Sequence, residues 1–168
     1  MMFSAMIAGL RLTNWLNWIV AAILMAFLAV LLSDAGGFRS ELLARFDEPV
    51  RDPIRDFLYA VLALTPPVTA AVHILLTRLT ALVGDAARGL AFTDANAARL
   101  RMMGWALLAI NMVDIAYGWL SVRASAETGE YFGWSFSLTG WIAVPMLFVL
   151  AHVFREGTAM REDLEGTV

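Results

Sequence analysis

The sequence predicts an all-α integral membrane protein, a four-helix bundle with both termini on the cytoplasmic side. The first observation is that residues 12–33, 57–77 and 132–154 carry no charge, and residues 102–122 carry only Asp114. Each stretch has about the 20 apolar residues that a spanning helix needs. The second is that charged residues crowd into the connections between these stretches. The third is a composition of 60% hydrophobic and 16% charged residues, which is outside the norm for soluble domains.

The first span enters the bilayer at Arg11 and has Trp15 and Trp18 near its start, where indole rings favour the headgroup interface. It ends at the helix-stopping stretch 33–37, which contains Asp34 and two glycines. Its apolar stretch exceeds the roughly 7–15 residues of a signal-peptide core. We therefore expect it to remain as a spanning helix.

Two polar segments are predicted on one side of the membrane, one between the second and third spans and one after the fourth. The second span should kink at Pro66-Pro67. A loop over residues 78–101 follows it, and Thr93 is a plausible N-cap for a helix that runs into the third span. The fourth span ends at a polar tail, residues 155–168. One compact bundle uses the whole length, so residues 1–168 are predicted to form a single domain.

The distribution of arginines sets the predicted orientation, because cytoplasmic loops carry an excess of basic residues. With both termini inside, seven arginines lie on the cytoplasmic face and five on the other. This margin favours cytoplasmic termini in a bacterial inner membrane.

Composition and motifs exclude several functions. The chain has no cysteine, which excludes disulfides, thiol catalysis and iron–sulfur clusters. It has no HExxH sequence, no phosphate-binding glycine loop and no Gly-x-Ser-x-Gly elbow. A net charge of −3 argues against direct nucleic-acid binding. We expect no enzyme activity, no metal and no cofactor.

Asp114 is the outlier among the spans, because a charge at mid-bilayer costs about 2.5–3.5 kcal/mol on insertion scales. It lies about 19 Å from Arg101 along its helix, close to the depth of Pro66-Pro67 in the second span. Asn111, three residues earlier, is expected on the same face. Four readings stay open: hydrogen bonding between helices beside the kink, a proton or cation relay, the wall of a small-ligand cavity, and a shift of the helix that places Asp114 at a shallower depth.

His73 should lie about 8 Å deep, too shallow to reach Asp114. His152, Asn14 and Asn17 fall in the same layer. These four residues are predicted to pack at the interface or to form a hydrogen-bonded ring, since two histidines without an acidic neighbour make a poor metal site.

Two polar segments carry recognisable motifs. Phe92, Thr93, Asn96 and Leu100 match the pattern Pro-Phe-Thr-x-x-Asn-x-x-x-Leu, with Ala91 in place of the proline. The C-terminal segment follows an aromatic, basic, glycine and acidic pattern, with matches at Phe154, Arg155, Gly157, Arg161, Glu162, Asp163, Glu165, Thr167 and Val168. Both segments resemble an uncharacterised bacterial family of small four-span membrane proteins. The resemblance implies a gene neighbour of the Cro/CI (Xre)-like helix-turn-helix class, which the membrane protein would hold or modulate.

The leading hypothesis is thus a non-enzymatic membrane protein whose loop and tail bind a cytoplasmic partner. An acidic tail suits a basic DNA-binding protein. The predicted partner-binding residues are Phe92, Thr93, Asn96, Arg99, Arg155, Arg161, Glu162, Asp163 and Glu165. The rivals are a small transporter or proton-coupled carrier centred on Asp114 and the Pro66-Pro67 kink, and a passive subunit of a larger complex. Pairs of small residues in the spans leave a homo-oligomer open.

Overall fold

The computed structural model describes residues 2–165, with side chains up to Met160. Within that range the chain forms helices and no strand. The elements are α1 (Met2–Ser33), a 3-10 turn (Ala35–Gly37), α2 (Phe38–Leu43), α3 (Glu48–Ala63), α4 (Thr65–Ala87), α5 (Asp94–Thr128) and α6 (Leu138–Glu165).

Four helices are long and apolar enough to cross a membrane: Met2–Ser33, Glu48–Ala87, Asp94–Thr128 and Leu138–Met160. Large apolar side chains point outward along them, and Trp15, Ile23, Trp119 and Val149 are each more than half exposed. Outward surfaces this apolar are typical of contact with lipid rather than water. The all-α fold and the four candidate spans are confirmed.

The second span consists of α3 and α4, which are interrupted at Leu64. Pro66 and Pro67 follow immediately, in the first turn of α4. Since proline has no N–H, the carbonyls of Leu62 and Ala63 lack their usual intrahelical donors. The second span is therefore interrupted next to the prolines at which the sequence predicts a kink.

The predicted loop over residues 78–101 is mostly helical. α4 continues to Ala87 and α5 begins at Asp94, so only residues 88–93 connect them. Gly84 does not interrupt α4, whereas Gly89 adopts a left-handed φ of 76° just after it. Thr93 caps α5, and its side chain accepts a hydrogen bond from the Asn96 N–H at 3.2 Å. Both helices therefore extend beyond their apolar stretches into the predicted loop.

The fourth span begins later than residue 132, and the tail is helical for longer than predicted. Residues 130–137 are not helical and fold back on α5, where the Phe132 N–H donates to Ser125 Oγ at 2.9 Å. The Trp134 indole covers Gly118 so closely that any side chain there would overlap it. α6 starts at Leu138 and continues to Glu165. Of the predicted tail 155–168, residues 166–168 lie outside the described part.

The helices pack in a row. α5 contacts α4, α6 and α3, while α1 packs mainly on α4. Among the described residues, α1 and α6 make no comparable contact. The predicted four-helix bundle is therefore open on one side, because α1 lacks the second neighbour that a closed bundle would supply.

Candidate functional site

The short connection between α4 and α5 is held by an ionic cluster at one end of the molecule, called here the loop end. Asp85, buried near the end of α4, pairs with Arg88 through one carboxylate oxygen and with Arg99 through the other. The Leu90 N–H donates to the Asp85 carbonyl at 2.9 Å. The backbone of the connection is therefore fixed to both helices.

Asn96 completes this fixation from the first turn of α5 and is fully buried. Its Nδ2 donates to the carbonyls of Leu90 at 2.9 Å and Ala91 at 3.0 Å. Its Oδ1 accepts from Arg99 Nη1 at 2.5 Å. All three side-chain interactions are internal, so Asn96 holds the loop and is not free to contact a partner.

The loop also packs on α6. The Phe92 and Phe154 ring centroids lie 5.0 Å apart. A Cβ placed on Gly157 would lie 2.8 Å from Phe92 Cδ1, so the absence of a side chain there makes room for the ring. The two motif-bearing segments are consequently in direct contact. We give the name loop–tail surface to these three residues, Phe92, Phe154 and Gly157, together with two exposed apolar residues close to them in sequence, Leu90 and Met160.

The loop–tail surface is unusually apolar for the polar end of the molecule. Leu90 is 43% exposed, Phe92 46% and Met160 62%. Nearby, Arg155 contacts His152 Nδ1 at 3.0 Å, and His152 Nε2 lies 3.0 Å from Glu156. An exposed apolar patch rimmed by charged side chains is typical of protein–protein contact.

The structure describes the remaining candidate residues of the tail only in part. Arg161, Glu162, Asp163 and Glu165 belong to α6, but their side chains lie outside the described residues. Their predicted role stays a prediction.

Inside the spans, three of the four residues predicted to share one layer make polar contacts between α1 and α4. His73 Nδ1 lies 3.0 Å from Asn14 Oδ1, and Trp18 Nε1 donates to His73 Nδ1 at 3.2 Å. Asn17 donates to the Thr69 carbonyl at 3.1 Å. The fourth residue, His152, does not join them, because it lies on α6 beside Arg155.

Asp114 borders a groove of about 380 Å³ between α1, α3, α4 and α5. Thr65, Thr69, Asn17 and Tyr117 also line it, together with aliphatic side chains. No hydrogen bond or ion pair joins Asp114 to another described residue. The groove therefore fits the ligand-cavity reading, while Asp114 forms no hydrogen bond to a described residue of another helix beside the interruption of the second span.

Asn111 does not share the face of Asp114. It is buried against α6, where its Oδ1 would overlap any side chain placed on Gly140. Its Nδ2 has no hydrogen-bond partner among the described residues. The three-residue spacing leaves the two side chains about 60° apart around the helix. Because α5 lies between α4 and α6, that angle directs them to different neighbours.

The roles of Asp85 and Gly157 could not be predicted from the sequence. Asp85 lies within the predicted loop over residues 78–101, and its pairing with Arg99, fourteen positions away, has no local sequence signal. Gly157 was recognised within a motif, but its role depends on Phe92, which is distant in sequence.

These features define an all-helical protein with four candidate membrane spans and a fixed polar end. No group of residues suited to holding a metal ion occurs in the described part of the chain. Residues 43–168 match the family described as "Protein of unknown function (DUF2975)". The chain belongs to this family, which confirms the expectation of an uncharacterised one. No curated protein and no solved structure was found to be similar to the chain.

Proposed function

We propose that this chain is a non-enzymatic protein of the bacterial inner membrane that binds a cytoplasmic partner through its loop–tail surface. The observation that carries the proposal is the packing of Phe92 on Phe154 and Gly157, which joins loop and tail into one surface while leaving Phe92 half exposed. A patch held in place by Asp85 and Asn96 needs little ordering when a partner binds.

Charge favours a basic partner. Beyond Met160 the sequence continues with one arginine and three acids, Glu162, Asp163 and Glu165. A helix-turn-helix regulator is basic where it meets DNA phosphates, so an acidic segment beside an apolar patch complements it. The partner we propose is therefore the small helix-turn-helix regulator implied by the family resemblance.

Capture of that co-expressed regulator by the detergent-solubilised protein tests the proposal. A chain ending at Met160 removes the acidic segment and keeps the Phe92–Phe154 contact. Leu90→Ser removes an exposed apolar side chain, and Leu138→Ser is its matched control, since Leu138 is also exposed but lies at the opposite end. We expect both loop-end changes to reduce capture and Leu138→Ser to leave it unchanged. Equal capture by all four chains, or none by the full-length chain, would overturn the proposal.

A second candidate function, a small carrier, is favoured by the position of Asp114 on the groove. Carboxylates within spans commonly mark ion or substrate pathways. Flux into liposomes containing the wild type or Asp114→Asn separates the two functions. Flux that depends on Asp114 supports the carrier, and flux that is absent or unchanged removes it.

A further inference from the structure

Besides the groove at Asp114, a groove of about 380 Å³ lies at the loop end, between α1 and the end of α4. Its polar lining is dominated by three arginines, Arg11 from α1, Arg88 from the connection and Arg99 from α5, and its acid is Asp85. Gly84 forms part of the wall, and a Cβ built there meets nothing within 4 Å. The absence of a side chain at Gly84 therefore leaves this part of the groove open.

The charges in this groove do not balance. Asp85 uses one oxygen for Arg88 and the other for Arg99, so both of its oxygens are engaged. Arg11 is exposed and forms no ion pair with any described residue. Three guanidinium groups around one carboxylate leave a surplus of two positive charges. Such a surplus is stabilised by a bound anion.

The depth of the groove points to the kind of anion. Arg11 immediately precedes the uncharged stretch 12–33, and Thr77, also in the lining, ends the uncharged stretch 57–77. Both boundaries are the level at which lipid headgroups lie. Basic pockets between spanning helices at this level bind anionic headgroups. The chain contains no lysine, and the planar guanidinium of arginine matches the oxygens of a phosphate.

We propose that this groove binds the phosphate of an anionic phospholipid, with Arg11 as the contributing residue from α1 and the acyl chains lying along α1 and α4. This site is separate from the loop–tail surface and does not depend on the proposed partner.

The test uses the full-length protein in a neutral detergent, with bound lipid counted by native mass spectrometry. The probes are phosphatidylglycerol, phosphatidylcholine and inorganic phosphate. We expect phosphatidylglycerol to bind more tightly than phosphatidylcholine. We also expect Arg11→Gln to weaken phosphatidylglycerol binding about fivefold, the factor one arginine contributes near an anionic surface.

Two further variants make the test specific. Gly84→Leu fills the groove without changing charge and should also weaken binding, while leucine favours the helix more than glycine does. Arg45→Gln is the control, since Arg45 lies outside the groove, is exposed and forms no ion pair with a described residue. It should not change phosphatidylglycerol binding. Equal binding of the two lipids, an equal loss in Arg45→Gln, or full binding by Gly84→Leu would overturn the proposal. Displacement of the lipid by millimolar inorganic phosphate would also overturn it, because the site would then be one for a free anion.

Discussion

Replacing Asn96 with alanine should release the connection between α4 and α5. The substitution removes two hydrogen bonds to the backbone carbonyls of Leu90 and Ala91 and one from Arg99. Neutral hydrogen bonds contribute about 1 kcal/mol each, and one to a charged group contributes about 1.5 kcal/mol or more. We therefore expect the free energy that keeps the loop closed to fall by about 3.5 kcal/mol.

Hydrogen–deuterium exchange measures this free energy locally, because loops open without global unfolding. The reporters are the amides of Arg88, Gly89 and Leu90, which donate to the carbonyls of Asp85 and Ala86. A loss of about 3.5 kcal/mol corresponds to exchange that is roughly 300-fold faster.

Asn111→Ala is the matched control, since Asn111 is also a buried asparagine of α5. Its Nδ2 has no partner among the described residues, so removing it should change stability by less than about 1 kcal/mol and leave loop exchange unaltered. Acceleration below about fivefold in Asn96→Ala, or similar acceleration in both variants, would refute the role given to Asn96.

Three other predictions concern separate parts of the molecule. Gly157→Val should displace the Phe92 ring and lower stability by about 1–3 kcal/mol, measured as a lower thermal midpoint; an unchanged midpoint would contradict the packing. Hydrogen bonds to the Asp34 carboxylate from the side chain and then the backbone of Ser40 lower its pKa. This stabilisation is therefore present above the ordinary pKa of 3.8 and lost as pH falls through the lower folded value. Asp34→Asn should be less stable than wild type at pH 6, and the difference should narrow as the pH falls below 3.8. A difference independent of pH would contradict this. Because the chain lacks cysteine, a single cysteine introduced as Ala35→Cys or Ala87→Cys can be labelled specifically in intact cells. We expect a membrane-impermeant reagent to label Ala35→Cys and not Ala87→Cys. Labelling of both, or of Ala87→Cys alone, would contradict the orientation with both termini in the cytoplasm.

Much of the fold could be predicted because it depends on local chemistry. Uncharged stretches locate the spans, Pro66-Pro67 locates the interruption of the second span, and the Thr93 hydroxyl caps α5 as its position suggests. In each case the deciding interaction lies within a few residues, so the sequence pattern contains it.

The boundaries of helices at the loop end could not be predicted as well. Residues 78–87 contain charges and a glycine, which together resemble a connection, yet they continue α4. Their helix is stabilised by tertiary contacts, including the packing of Leu79 and Leu82 near Leu100 and Met103. Tertiary packing of this kind outweighs local propensity.

The arrangement of the candidate residues depended on contacts between distant segments. The motifs at Phe92 and Phe154 were recognised separately, but only the fold shows that they touch. Similarly, the spacing of Asn111 and Asp114 suggested one face, whereas the position of α5 between two neighbours separates them. Spacing within a helix gives the angle between two side chains around its axis, but the arrangement of the neighbouring helices determines what each side chain contacts.

The most direct test of the loop–tail surface is site-specific photo-cross-linking in intact cells with the helix-turn-helix regulator co-expressed. A photoreactive amino acid is placed at Leu90, at Met160, or at Leu138, all of which are exposed. Our account predicts adducts with the regulator from Leu90 and from Met160 and none from Leu138. Adducts from only one of the two loop–tail positions, from all three positions, or from none would contradict a single partner-binding surface built from both segments.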